Sequence, residues 1–174
     1  MIFGLFRNHS ASPRLERLHA LSLFINLTPG ELKIVDSLLH ERDFVKDEVI
    51  FDEGEEGQAI YIIIEGHVLI RRQGDPEEGG MVKARRLGDS VDGRIAELGS
   101  GTFFGDLALL DNSPRGAQAR AASNCTLAVF FRTDFMRLLE THALIASKIS
   151  LQLARHIGQR LREANLGADG GQHL

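Results

Sequence analysis

Apolar residues recur at two different periods along this chain, and the switches between them mark its layout. Behind Ser12-Pro13, a cap residue followed by the residue whose fixed φ suits the first helical position, Leu15, Leu18 and Leu21 fall about one turn apart. Thr28-Pro-Gly-Glu31 fits a capping box, in which hydroxyl and carboxylate each satisfy a backbone N–H left open at the helix start. Leu32, Val35, Leu38 and Leu39 then share one helical face. Two short helices are expected to open the chain. From Asp43 the pattern changes to short β-branched or aromatic runs, Val49–Phe51, Ile60–Ile64 and Val68–Ile70, split by turn clusters at Glu53–Gly57 and Glu65-Gly66. Met81–Arg86, Arg94–Leu98, the alternating Ala117, Ala119 and Ala121, and Thr126–Phe131 continue the series, with a polar loop at Gln73–Gly80. Strands at this spacing, with glycine turns and few helices between them, predict an antiparallel roll or jelly roll.

Helical spacing returns at the end. Thr133 is placed to cap a short helix holding Phe135, Leu138 and Leu139. From Ala143 to Glu163 Ile145, Ile149, Leu153, Ile157 and Leu161 recur every fourth residue, and Leu144 and Leu151 widen the stripe. A helix of roughly 30 Å at 1.5 Å per residue is longer than a small roll covers. It either folds back as core or pairs with its counterpart in a homodimer, and the second is the expectation. The layout is then a partly helical N-terminal segment at 1–19, a roll domain at 20–140, a C-terminal dimerisation helix at 141–165 and a disordered tail at 166–174.

The 174 residues suit one domain with a substantial core and an appended helix. A formal charge of −4 argues against a general polyanion binder. One cysteine, Cys125, excludes an intrachain disulfide and makes a cytoplasmic setting the expectation. No run reaches the roughly eighteen apolar residues of a membrane span. None of the seven histidines shares a metal-like spacing with another, so no metal site is expected, and no nucleophile elbow or P-loop is present. An enzyme on a jelly roll is therefore the weakest reading.

The segment Gly101-Thr-Phe-Phe-Gly-Asp-Leu-Ala-Leu-Leu110, with Asp111–Gln118 behind it, concentrates the candidate chemistry. Two glycines bracket two aromatics, the second opens a helical turn carrying an acid, and a loop delivers Arg115 behind Pro114. Free N–H groups, a carboxylate and a guanidinium brought this close make a receptor for a small anion attached to a sugar. Plainer roles stand beside that one. Arg115 can pair with Asp106 or Asp111, Asp106 can be a helix-start acid favoured by the dipole, and Phe103 and Phe104 are expected in the core. Ile62, Ile64, Val68 and Leu87 suit either an apolar base wall or roll interior. Arg155, Gln159 and Arg160 either reach the site from the last helix or form a solvated face.

The order and spacing of these pieces resemble the cyclic nucleotide-binding domain family over roughly residues 20–160. Leu23–Leu32 is similar to its opening helix, Val49–Gln58 with Ala59–Gly66 to its glycine-punctuated hairpins, and Gly101–Leu110 with Pro114-Arg115 to its phosphate-binding cassette. The resemblance implies a mainly β fold, a β-roll flanked by N-terminal helices and a long C-terminal helix. It also implies that the N–H groups of Gly105, Leu107 and Ala108 and the side chain of Arg115 hold a cyclic phosphate, with Gly116 and Ala117 completing the site. Asp106 stands where the family usually has a glutamate facing the ribose 2′-hydroxyl, one methylene shorter; a bond of that kind is worth about 1.5–3 kcal/mol. Gly116, Ala117 and Gln118 stand where a serine or threonine often follows the arginine, and Gln118 is the candidate for a base edge.

The function these features imply is a stand-alone sensor module that binds cAMP or cGMP, without metal or catalysis, and signals to a partner protein. Relatives that regulate transcription append a helix-turn-helix after the long helix, and the residues after Ala164 are too few for one, so no direct nucleic-acid binding is expected. The alternative is a member of the same fold that binds no nucleotide and acts as a dimeric interaction scaffold.

Overall fold

A computed structural model describes residues 13–72, 94–111 and 113–169 of the chain. Two short helices, α1 (Pro13–His19) and α2 (Pro29–Asp36), precede eight described strands: β1 (Leu39–Phe44), β2 (Val49–Phe51), β3 (Ala59–Glu65), β4 (His67–Arg71), β5 (Arg94–Gly99), β6 (Phe103–Phe104), β7 (Gln118–Ala121) and β8 (Cys125–Phe131). A 3-10 turn, Asp106–Leu109, follows β6, and α3 (Arg132–Thr141) and α4 (Ala143–Asp169) close the chain. The strands form two antiparallel four-stranded sheets ordered β1-β8-β3-β6 and β2-β7-β4-β5. This is the roll that the strand spacing predicts. The strand expected at Met81–Arg86, the loop at Gln73–Gly80 and Leu87 lie outside the described residues.

The unbroken apolar runs of β3 and β8 follow from their place at the centre of one sheet, with both faces covered. Ile60 and Ile62 of β3 and Ala128 and Phe130 of β8 turn outward into a cluster with Leu18, Phe24, Val35, Phe135, Ile149 and other helical residues. Ile63, Cys125 and Leu127 turn inward and join Phe51, Val68, Phe104, Ala119 and Ala121 between the sheets. The two phenylalanines of β6 split the same way, Phe103 to the helical side and Phe104 to the interior.

The capping box forms as its sequence predicts: Thr28 N–H donates to Glu31 Oε2 at 2.7 Å, and Glu31 N–H donates to Thr28 Oγ1 at 3.3 Å. Three readings of helical spacing need correction. Helix α2 stops at Asp36, and Leu39 opens β1 instead of continuing the helical face. Among the described strands β1 pairs only with β8, and this edge position lets it carry four exposed polar residues in a row without an apolar alternation. Thr133 does not cap α3, whose N-cap is Phe131 with no side-chain bond, because β8 runs straight into the helix. The apolar stripe of α4 also divides. Ile145, Ile149 and Leu153 are buried against the roll, whereas Leu144, Leu151 and Leu161 are exposed. The helix continues to Asp169, into the residues expected as tail; 170–174 lie outside the described residues. No helix among the described residues is long and apolar enough to cross a membrane.

Glu31 does more than cap α2. Lys148 Nζ of α4 reaches both its carboxylate oxygens at 2.8 Å and, with the Thr28 backbone bond, holds the carboxyl below its ordinary value of 4.5. A lowered folded value stabilises the fold above the ordinary pKa, and that contribution is lost as pH falls through the folded one. Glu31→Gln keeps the cap and removes the ion pair. Its urea-unfolding free energy is expected to fall by about 0.5–1 kcal/mol at pH 7, with the gap to wild type closing as pH drops below about 4.5. A gap independent of pH would locate the loss elsewhere.

Candidate functional site

A cavity of about 570 Å³ opens beside β6 and the 3-10 turn. That volume falls within the roughly 300–1,000 Å³ of small-molecule pockets. Its lining beside Arg115 depends on Gly105, which takes φ +74° to swing the chain from β6 into the turn. A Cβ there would sit 2.6 Å from Arg115 Nη1 and 3.3 Å from the Ala59 carbonyl oxygen. The glycine thus serves twice, for a left-handed backbone and for room beside a guanidinium.

Arg115 is 8% exposed and lies at the floor of the cavity. Its Nη2 donates to the Ala59 carbonyl at 2.8 Å and its Nη1 to the Gly105 carbonyl at 3.3 Å. Its Nε is buried with no partner. Neither Asp106 nor Asp111 pairs with it. Asp111 holds Ser113 through its carboxylate, at 2.8 Å to Oγ, and Asp106 faces the other way. Burial pulls the guanidinium below the usual arginine value, with Tyr61 and Glu55 acting in the opposite direction, and an arginine so lowered still carries its charge at neutral pH. The floor therefore holds a cation that no described carboxylate contacts at ion-pair distance.

Asp106, 4% exposed, receives Arg160 Nη1 of α4 at 3.2 Å and 3.4 Å on its two carboxylate oxygens. Arg160 thus reaches the site, while Gln159 turns to Glu163 and Arg155 is exposed. The structure brings Gly105, Asp106, Leu107, Ala108, Arg115, Gly116 and Ala117 together around the cavity. Ala108 N–H already donates to the Gly105 carbonyl at 3.2 Å, closing the 3-10 turn. Gln118 is the exception: it is buried on β7, outside the cavity, and its amide donates to Asp52 Oδ1.

Of the two roles left open for Ile62, Ile64 and Val68 the structure gives the roll interior. Ile62 and Val68 are wholly buried in the two core clusters and Ile64 packs against the outer one, whereas Phe51, Ile70, Ala96 and Leu98 line the cavity. His156, its ring 4.5 Å from that of Phe103, and Ser113 are further lining residues that the sequence reading did not single out. The four-residue spacing of His156 and Arg160 on one helix was the available signal. Among the described residues no group of three His, Cys, Asp or Glu side chains could hold a metal ion.

Known proteins share this fold. A family model described as the cyclic nucleotide-binding domain matches residues 41–142, from β1 to the end of α3. The cyclic AMP receptor protein of Thermus thermophilus is 33% identical over 147 residues, covering 84% of this chain and 60% of that protein. A lysophospholipase of Pyricularia oryzae is 36% identical over 129 residues, covering 74% of this chain and 8% of the enzyme. The crystal structure of the Thermus thermophilus catabolite activator protein superposes with a TM-score of 0.68 at 31% identity, covering 85% of this chain and 62% of that one. The chain thus spans under two thirds of the length of each of these relatives.

Two glycine substitutions separate the roles of the backbone and of the space beside Arg115. Gly101, at φ +86° with nothing within 4 Å of a built Cβ, is expected to lose about 1–2 kcal/mol on change to Ala. Gly105→Ala carries the same backbone strain and also displaces the guanidinium, so its loss in urea unfolding is expected to be larger by about 1 kcal/mol or more. Equal losses would show that Arg115 moves aside freely.

Proposed function

Because the chain belongs to the cyclic nucleotide-binding domain family, we propose that it binds a cyclic mononucleotide, cAMP before cGMP, as a regulatory sensor in a cytoplasmic setting. The observation that carries this reading is the buried, unneutralised Arg115 with an open Nε at the floor of the cavity. A phosphate supplies both the missing negative charge and the acceptor. Gly105, Leu107, Gly116 and Ala117 offer backbone around it, Asp106 is the group for the sugar, and Ile70, Ala96 and Leu98 are the apolar surface for a base.

The signal leaves through α4. Arg160 ties this helix to Asp106, so a ligand that engages the carboxylate changes what holds the helix at the cavity. Two arrangements of α4 with different ligand affinity are sufficient for signalling by population shift. The outward residues Leu144, Leu151 and Leu161 fall on a heptad pattern, seven apart for the first two, with Ala154 seven before Leu161. Such a seam fits a second copy of the chain, and the homodimer would present its helices to an effector protein. Neither catalysis nor a metal has a part in this reading.

One observation favours a second reading, a dimeric scaffold that binds no nucleotide: Asp106 and the Ala108 N–H are already committed to partners within the chain. Thermal unfolding with and without millimolar cAMP and cGMP decides between them. At one hundred times its Kd a ligand adds about 2.7 kcal/mol of stability, a rise of roughly 5–10 °C for a domain of this size. Wild type is expected to show that rise and Arg115→Glu to lose it. An unchanged wild type supports the scaffold, and a rise that survives Arg115→Glu moves the site elsewhere. In sedimentation, Leu151→Asp is expected to shift a dimer to monomer while leaving the ligand-induced rise in place.

A further inference from the structure

A buried guanidinium ordinarily lies against a carboxylate, and Arg115 does not. What lies against it is aromatic. Its Cζ is 4.1 Å from the centre of the Phe51 ring and 5.6 Å from that of Tyr61. Behind them Tyr61 stacks on Phe104, centroids 5.4 Å apart and planes within 11°, and Phe51 packs against both at 5.5 Å and 5.9 Å. The three rings come from β2, β3 and β6, that is, from both sheets, and belong to the inner core cluster.

We propose that Phe51, backed by Tyr61 and Phe104, is a positioning seat that holds the Arg115 guanidinium charged and unneutralised, keeping it available to a ligand phosphate. This rests on the sensor reading above. The physical reason lies in the kind of attraction a ring face offers. Its quadrupole stabilises a cation without contributing a formal negative charge. A carboxylate in the same place would have to be displaced by the incoming anion, and the ligand would lose what the ion pair had gained. A ring asks for no such exchange. The guanidinium keeps its full positive charge, the carbonyls of Ala59 and Gly105 fix its plane, and the Nε edge is left over. The site is thus organised for an anion before the anion arrives.

The seat also accounts for the inward-facing aromatic at Phe51. Leucine would fill the core cluster nearly as well, but it has no π face. The test uses the full chain as wild type, Phe51→Leu, Phe51→Tyr, Arg115→Met and the Phe51→Leu/Arg115→Met pair, with cAMP binding measured by calorimetry. Phe51→Leu is expected to weaken binding about tenfold and Phe51→Tyr to stay within about threefold of wild type. A second measurement needs no ligand: in urea unfolding, Arg115→Met is expected to cost clearly less in the Phe51→Leu background than in wild type. A folded Phe51→Leu that binds cAMP as wild type does, a loss that Tyr fails to restore, or strictly additive unfolding effects would each overturn the seat. A wild type that binds no cyclic nucleotide refutes the sensor reading alone, and the unfolding cycle then decides the seat by itself.

Discussion

Removing a guanidinium from water is expensive, by several kcal/mol, unless the interior returns what the water gave. Arg115 meets that constraint with two carbonyl oxygens and two ring faces, and each of these fixes a further part of the fold. The Ala59 carbonyl is on β3, the central strand that pairs with both β8 and β6. The Gly105 carbonyl is oriented by a backbone that only glycine adopts without strain. Phe51 comes from the opposite sheet. The loop carrying Arg115 is itself pinned, with Arg115 N–H donating to the Glu55 carbonyl at 2.7 Å and Gly54 N–H donating to the Arg115 carbonyl at 2.8 Å. One cation therefore depends on the closure of the roll around it.

The acid half of the site is arranged differently. Asp106 is buried but its partner, Arg160, is more than half exposed and sits two turns beyond the fully buried Leu153 of α4. An ion pair with one solvated member is a modest bond. The floor of the cavity is thus fixed by many contacts while its outer edge is held by few. A rigid floor and a loosely held outer edge are what the proposed sensor requires.

Much of this was legible in the chain. The capping box at Thr28 and Glu31 is a local device, complete within four residues, and it forms as written. The glycine-punctuated runs give the strands because turn chemistry is also local. Reading failed where the deciding contact is distant. Leu39 has helical spacing from Val35, but it pairs with Phe130, ninety-one positions away. Ile62 and Ile70 are equally apolar, and only the register of β3 against β8 and of β4 against β7 sends one into the core and the other to the cavity. For Arg115 the sequence offered two nearby acids as partners. The fold gives it neither: Arg160 reaches Asp106 from fifty-four residues away, and Asp111 holds Ser113. The resemblance pointed to the loop that lines the cavity; the aromatic floor and the Asp106 pairing needed the fold.

The sheet β1-β8-β3-β6 separates two distinct bodies of apolar side chains, one bearing every helix and the other filling the roll. Phe103 and Phe104, adjacent in sequence, are on opposite sides of that partition. A wall with independent packing on its two faces behaves like the plate of a clutch. The helices can slide or tilt across its outer face while the rings beneath Arg115 stay where they are, so motion on one side of the wall need not disturb the packing on the other.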